Sequence, residues 1–146
     1  MTRAEILKEL KKYFSLSEMF CPHIVSKFGE LAWQFPDIRL LAVLLWLRTS
    51  LNKAIYINNG KNLTQRGMRC NLCKMAKDMA VAYLSSHILG SGIDFTVEGM
   101  TPDEVRNWIV AHQAELPFNI RLERSKTWVH LDVRNETDEK IVWFNP

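Results

Sequence analysis

Phe118-Asn119-Ile120-Arg121-Leu122-Glu123 and Thr127-Trp128-Val129-His130-Leu131-Asp132-Val133 decide the fold. Both segments carry β-branched or aromatic residues in a two-residue alternation, and only three residues separate them, so they read as the two arms of a hairpin. Ile141-Val142-Trp143-Phe144 reads as a third short strand. Upstream, Thr101-Pro102-Asp103-Glu104 supplies an N-cap, a proline at the first helical position and a capping-box glutamate, so a helix is expected to run from there to about His112. Residues 93–97 read as a strand. Residues 54–58 read as another, closed by the turn signal Asn59-Gly60.

The first fifty residues are helical in pattern. Thr2 and Glu5 have capping-box spacing, and Ile6, Leu10 and Tyr13 follow at helical intervals, predicting a helix over 3–14. A second helix is expected around 24–34. Pro36 then breaks the chain, and Asp37 caps a helix to about Asn52 that is apolar on nearly every side from Leu40 to Leu47, which marks the core helix. Residues 61–92 carry the polar and glycine residues of a functional loop, with a short helix expected over 75–84. Helices first and strands later specify an α+β fold, a helical N-terminal half packed on a small antiparallel sheet. No internal repeat is present, and 146 residues suit one domain spanning 1–146.

Composition bounds the function. Nineteen Lys and Arg against sixteen Asp and Glu leave a net charge of +3, scattered rather than banked, which argues against a dedicated nucleic-acid binder. The longest apolar run, residues 40–47, lies between Arg39 and Arg48 and falls far short of the roughly 20 residues a spanning helix needs. The N-terminal stretch has no apolar signal region, so the expectation is a chain kept in the cytoplasm as synthesised unless something else releases it. Three cysteines, Cys21, Cys70 and Cys73, cannot form a closed disulfide framework, which agrees with a reducing compartment. A monomer is expected.

The chemistry concentrates in Ser85-Ser86-His87-Ile88-Leu89-Gly90-Ser91-Gly92-Ile93-Asp94-Phe95 and in Trp128-Val129-His130-Leu131-Asp132. The first stretch separates an imidazole and a carboxylate by two glycines and apolar residues. In the second, strand alternation sends Trp128, His130 and Asp132 to one face. Two histidines and one aspartate suit zinc with an open fourth position, the arrangement of catalytic sites. Taken as spacing alone, hydrogen-bonded structural histidines are the commoner explanation.

The pattern Ser85-x-His87-x-x-Gly90-x-Gly92-x-Asp94 followed by Trp128-Val129-His130 resembles the zinc D-alanyl-D-alanine carboxypeptidase family, which has the hedgehog/DD-peptidase fold. That family also includes D,D-dipeptidases and phage endopeptidases that cut between L-alanine and D-glutamate. Gly92 stands where the family has alanine. Gly67-Met68-Arg69-Cys70-Asn71 resembles the segment preceding the first zinc ligand, with Arg66 in place of serine and Met68 in place of an aromatic residue. The likeness covers about residues 55–133. It implies His87, Asp94 and His130 as ligands of Zn2+, and a peptidoglycan hydrolase acting on stem peptides, of the phage or prophage endolysin type. Cell-wall degradation would then follow release during phage lysis.

Many members carry Glu-x-x-His with the glutamate as general base, but the residue three before His130 is Thr127. Two carboxylates remain. Glu123, across the hairpin from the His130 strand, is the first choice, in a stretch similar to that of phage-type relatives. Asp132 is the second, and its alternative role is to orient a ligand. Arg69 is a candidate clamp for a substrate carboxylate or stabiliser of the oxyanion, against a surface salt bridge. Ser85 is a candidate substrate-binding hydroxyl, against a turn-forming one. Cys70-x-x-Cys73 with Cys21-Pro22-His23 could make a second, structural zinc site, but only if some fifty residues of chain fold back correctly, and buried free cysteines are commoner. His112, at a helix end, needs no role beyond the helix dipole. The rival functions are an inactive zinc-containing wall-binding or virion structural module, and a redox or regulatory zinc protein built on Cys70 and Cys73.

Overall fold

The structure is a computed structural model that describes residues 1–77 and 84–146. Among these residues the fold is α+β, with six α-helices and a five-stranded mixed sheet. The helices are α1 (Arg3–Leu10), α2 (Leu16–Met19), α3 (Pro22–Phe28), α4 (Ile38–Leu51), α5 (Lys74–Lys77) and α6 (Pro102–Ala111). The strands are β1 (Ile55–Tyr56), β2 (Gly92–Val97), β3 (Ile120–Glu123), β4 (Val129–Asp132) and β5 (Ile141–Phe144), in the spatial order β1-β2-β4-β3-β5.

Local signals set most of the helix ends. Thr2 and Glu5 form the reciprocal capping box of α1, and Asp37 accepts from the Arg39 amide at the start of α4. Asn52 ends α4 in the left-handed region at φ 50°, a conformation asparagine tolerates better than most residues. Thr101 caps α6, and at its other end the His112 ring stacks on Trp108 and bonds the Trp108 carbonyl through Nδ1. The helix expected over 24–34 is instead α3 followed by a 3₁₀ segment, Gly29–Gln34, because Gly29 at φ 53° interrupts the α-helical backbone. Of the helix expected over 75–84, residues 75–77 fall in α5, which begins at Lys74; 78–83 lie outside the described residues.

The core is one cluster shared by both halves. From α4 come Leu40, Leu41, Val43, Leu44, Leu45 and Leu47, all buried, and α1 packs Ile6, Leu7 and Leu10 against this helix. The sheet contributes Ile93, Phe95 and Val97 of β2, Ile120 and Leu122 of β3, and Val129 and Leu131 of β4. Each fully buried aliphatic side chain of this kind contributes about 1.5–3 kcal/mol, so the core side of the sheet fixes its register and thereby its other face. Asp94, His130, Asp132, Arg121 and Glu123 all fall on that other face. Arg106 of α6, itself buried, donates to the Lys126 and Trp128 carbonyls and so holds the β3–β4 turn.

The sheet corrects one expectation. It is mixed rather than antiparallel, because β5 runs parallel to β3. The connection over residues 133–140 carries the chain from the end of β4 past β3 to the outer side of that strand, and buried Asn135 secures it. Its side-chain amide donates to the Ile120 and Glu139 carbonyls, and its oxygen accepts from Thr137. Strand β1 is shorter than expected, since the Asn58 amide turns to the Glu18 carbonyl instead of continuing along β2. Among the described residues, no helix is long and apolar enough to cross a membrane.

Candidate metal centre

The register of β2 against β4 pairs Asp94 with His130 directly and Gly92 with Asp132. His87 arrives from the turn before β2. The result is a carboxylate held between two imidazoles: Asp94 Oδ1 lies 2.7 Å from His130 Nδ1 and Asp94 Oδ2 lies 3.2 Å from His87 Nε2. The imidazole rings are 5.3 Å apart, and ligand atoms of His87, Asp94 and His130 all lie within 4.8 Å of one another.

Each histidine is fixed through its other nitrogen. His87 Nδ1 donates to the Gly67 carbonyl at 2.9 Å, which turns Nε2 toward Asp94. His130 Nε2 lies 3.1 Å from Asp132 Oδ2, with the Ser86 hydroxyl at 3.4 Å. This is the usual environment of metal-ligating histidines, whose second nitrogen bonds a carbonyl or carboxylate. Asp132 is fully buried. It takes Arg121 Nε and Nη2 on its two oxygens at 2.8 Å each, and the Arg134 amide at 3.0 Å.

The protonation states follow from these contacts. Burial alone would raise the Asp94 carboxyl, but hydrogen bonds from His130 and His87 outweigh it and hold the group well below the usual carboxylate range. Burial would lower His130, yet the bonds to Asp132 and Asp94 carry it up to about 9. Asp132, despite burial, is held down at about 2 by His130, Arg121 and the Arg134 amide. Without a metal, the cluster is therefore an imidazolium between two carboxylates. A divalent cation can replace that proton, since it supplies positive charge to the same acceptors.

The remaining predicted residues are placed as follows. The β3–β4 pairs Arg121 with Asp132 and Leu122 with Leu131, and one step further in the same register brings Glu123 level with His130 on the polar face. The Glu123 side chain is 13% exposed and lies 3.8 Å from Lys126 Nζ. Thr127 is exposed in the turn. Arg69 is buried at 4% exposure, and no salt bridge joins it among the described residues. One guanidinium nitrogen lies against the Met75 sulfur, and Nε has no partner among the described residues. Its backbone amide donates to the His87 carbonyl at 3.3 Å, which seats it beside the cluster. Ser85 takes the turn role, its hydroxyl accepting from the Ile88 amide. Ser86, not Ser85, is the serine beside His130.

Two features escaped the sequence reading. Phe144 of β5 sets its ring edge-on to His130 at 5.6 Å and lies under the Arg121 guanidinium at 4.5 Å. Its place in a four-residue apolar strand gave no signal of this. The Gly67 carbonyl matters because residues 66–69 lie along β2: the Asp94 amide donates to the Arg66 carbonyl at 2.8 Å. Gly67 has no space for a side chain, since a Cβ there would stand 2.3 Å from the Met19 carbonyl oxygen.

A second group, Cys21, His23, Cys70 and Cys73, also brings four ligand atoms within 4.8 Å of one another and could hold a metal ion. All three cysteines are free thiols, and burial together with Cys21 and Cys70 pushes the Cys73 thiol up to about 12. The chain has no match among protein-family models, curated proteins or solved structures.

Proposed function

We propose that this chain is a zinc metallopeptidase that hydrolyses stem peptides of peptidoglycan, with His87, Asp94 and His130 holding the metal. The observation that carries the reading is the Asp94 carboxylate held between two imidazoles whose outer nitrogens are tied to the Gly67 carbonyl and to Asp132. Structural histidine pairs need no such convergence of three ligand atoms. When bound, zinc supplies Lewis acidity to the scissile carbonyl and to the attacking water.

Glu123 takes the water proton on its carboxylate. It shares the row of His130 and Asp94 on the polar face, and its partner Lys126 at 3.8 Å is too distant to saturate it. Asp132 is unsuited to that task. Both its oxygens are occupied by Arg121, the Arg134 amide and His130, so it orients the His130 ring. Arg69 holds a substrate carboxylate. A buried guanidinium whose Nε has no partner among the described residues gains most when an anion completes it. Stem peptides offer such anions at terminal D-alanine and at D-glutamate. Ser85 shapes the turn that presents His87.

The phage-type sequence around Glu123 favours a lysis enzyme. The second reading, a zinc-containing wall-binding or virion module without turnover, is favoured by the exposed Thr127 in the position of the usual base. Zymography on purified peptidoglycan, with mass analysis of the products, separates them. We expect new amino termini from the parent protein, and a loss of about 10²–10⁴ in turnover with zinc retained in Glu123→Gln. Wall binding without released amines would establish the module instead.

A further inference from the structure

The cysteine cluster sits apart from the His87–Asp94–His130 site and is built from two chain segments that meet edge to edge. The Met68 amide donates to the Met19 carbonyl at 2.8 Å, and the Cys21 amide returns to the Met68 carbonyl at 2.9 Å. This bridge sets Cys21 beside Cys70, sulfur to sulfur at 3.8 Å. Two residues beyond Cys21 and three beyond Cys70, His23 Nδ1 and the Cys73 sulfur stand 3.6 Å apart. Within the Cys-x-x-Cys turn the Leu72 amide points at the Cys70 sulfur at 3.4 Å, and the Cys73 amide donates to the Cys70 carbonyl at 3.2 Å.

These separations have a chemical meaning. Tetrahedral zinc binds sulfur at about 2.3 Å and imidazole nitrogen at about 2.0–2.1 Å, so its ligand atoms stand about 3.8 Å apart for a sulfur pair and about 3.6 Å for sulfur and nitrogen. The Cys21–Cys70 and His23–Cys73 edges match those values. A disulfide would need sulfurs at about 2.05 Å, and unrelated thiols have no reason to converge with an imidazole. Cys21 and Cys73 are buried, while His23 lies exposed at the rim, so an ion can enter from the His23 side.

We propose that Cys21, His23, Cys70 and Cys73 form a closed Cys3His structural zinc site that ties the start of α3 to the segment carrying Arg69. Four protein ligands leave no open position, in contrast to the three at the other centre. The three thiols release their protons as they bind the ion, and nothing is oxidised or reduced. Between the bridge to Met19 and the Cys70-x-x-Cys73 turn, the Gly67 carbonyl and Arg69 are held at both ends. The zinc therefore fixes the group that orients His87 and the cation beside it. The proposal stands independently of the peptidase reading.

The test uses the full-length protein purified anaerobically with zinc present. The His87→Ala/His130→Ala variant removes the other centre and is expected to retain one zinc per chain. Its three thiols should resist alkylation, and alkylation forced by a chelator should release that zinc in step. Replacing the zinc with Co2+ should give a strong thiolate-to-cobalt charge-transfer band. Cys70→Ser, at the more accessible cysteine, should weaken the band and lower metal retention at least tenfold. The proposal is overturned if the double variant holds no zinc, if its thiols react fully without metal release, if iron takes the place of zinc, or if the cobalt protein lacks the sulfur band. These readouts need no catalytic activity and remain interpretable if Cys70→Ser folds poorly.

Discussion

Replacing Asp132 by asparagine keeps the shape of the side chain and removes its charge. The carboxylate is inaccessible to solvent and receives Arg121 in a two-point contact, the Arg134 amide and the His130 ring. Its fall from the ordinary 3.8 to about 2 corresponds to about 2 kcal/mol of interaction favouring the folded state. Because the folded value is depressed, that stability is fully present above about pH 5 and disappears as pH drops toward 2. Asp132→Asn should therefore lose about 2 kcal/mol at pH 7, with the gap to the parent closing in acid. Urea denaturation of both proteins after chelation measures it. A loss below about 0.5 kcal/mol at pH 7, the size of an exposed ion pair, would refute the network and reduce Arg121–Asp132 to a surface contact. The same variant should bind zinc at the His87–Asp94–His130 centre about 10–100-fold more weakly, since Asp132 fixes the His130 ring. Full metal affinity combined with lost turnover would instead make Asp132 the proton acceptor.

Two further outcomes follow from the neighbouring residues. Arg69→Lys keeps a charge but loses the planar fork, and steady-state kinetics on a muropeptide should show kcat/KM reduced about 10–100-fold, consistent with charged hydrogen bonds of about 1.5–3 kcal/mol; an unchanged rate would end the clamp assignment. The His130 imidazolium, held up to about 9 in the metal-free protein, must give up its proton to ligate. Zinc affinity at this centre should rise about tenfold per pH unit between pH 6 and 8. Titrations in two buffers of different ionisation heat, with His130→Ala as control, should count about one proton from this ring, and a count of zero would contradict the geometry.

Much of the frame was legible because its signals are local. The capping residues Thr2, Asp37 and Thr101 act within one turn, and the apolar run of α4 needs no partner to be identified as core. Helix α2 was overlooked although Ser15 and Glu18 carry its capping box, because four residues give too short a period to detect. The direction of β5 was not legible, since it depends on where residues 133–140 cross and on the Asn135 anchor. At the candidate site, alternation along β4 placed His130 and Asp132 on one face, and the β2 register supplied Asp94. Residue type could not tell that Arg69 is buried with no ion pair among the described residues, nor that Ser86 rather than Ser85 reaches His130. The meeting of Cys21 with Cys70 is a contact across 49 residues, set by backbone bonds between loops that carry no periodic pattern.

The pairing of β2 with β4 also sets a time order. Asp94 and His130 are 36 residues apart, and the loop between them holds α6 and the whole of β3. Closing such a loop is slow compared with forming α1 or α4, whose contacts lie within a few residues. The ligand triangle therefore comes into being only as the central strands zip together. With the thiols of Cys21, Cys70 and Cys73 alkylated beforehand, a metal-sensitive dye followed through refolding would then act as a clock for sheet closure, and its signal should lag the helical signal of the N-terminal half.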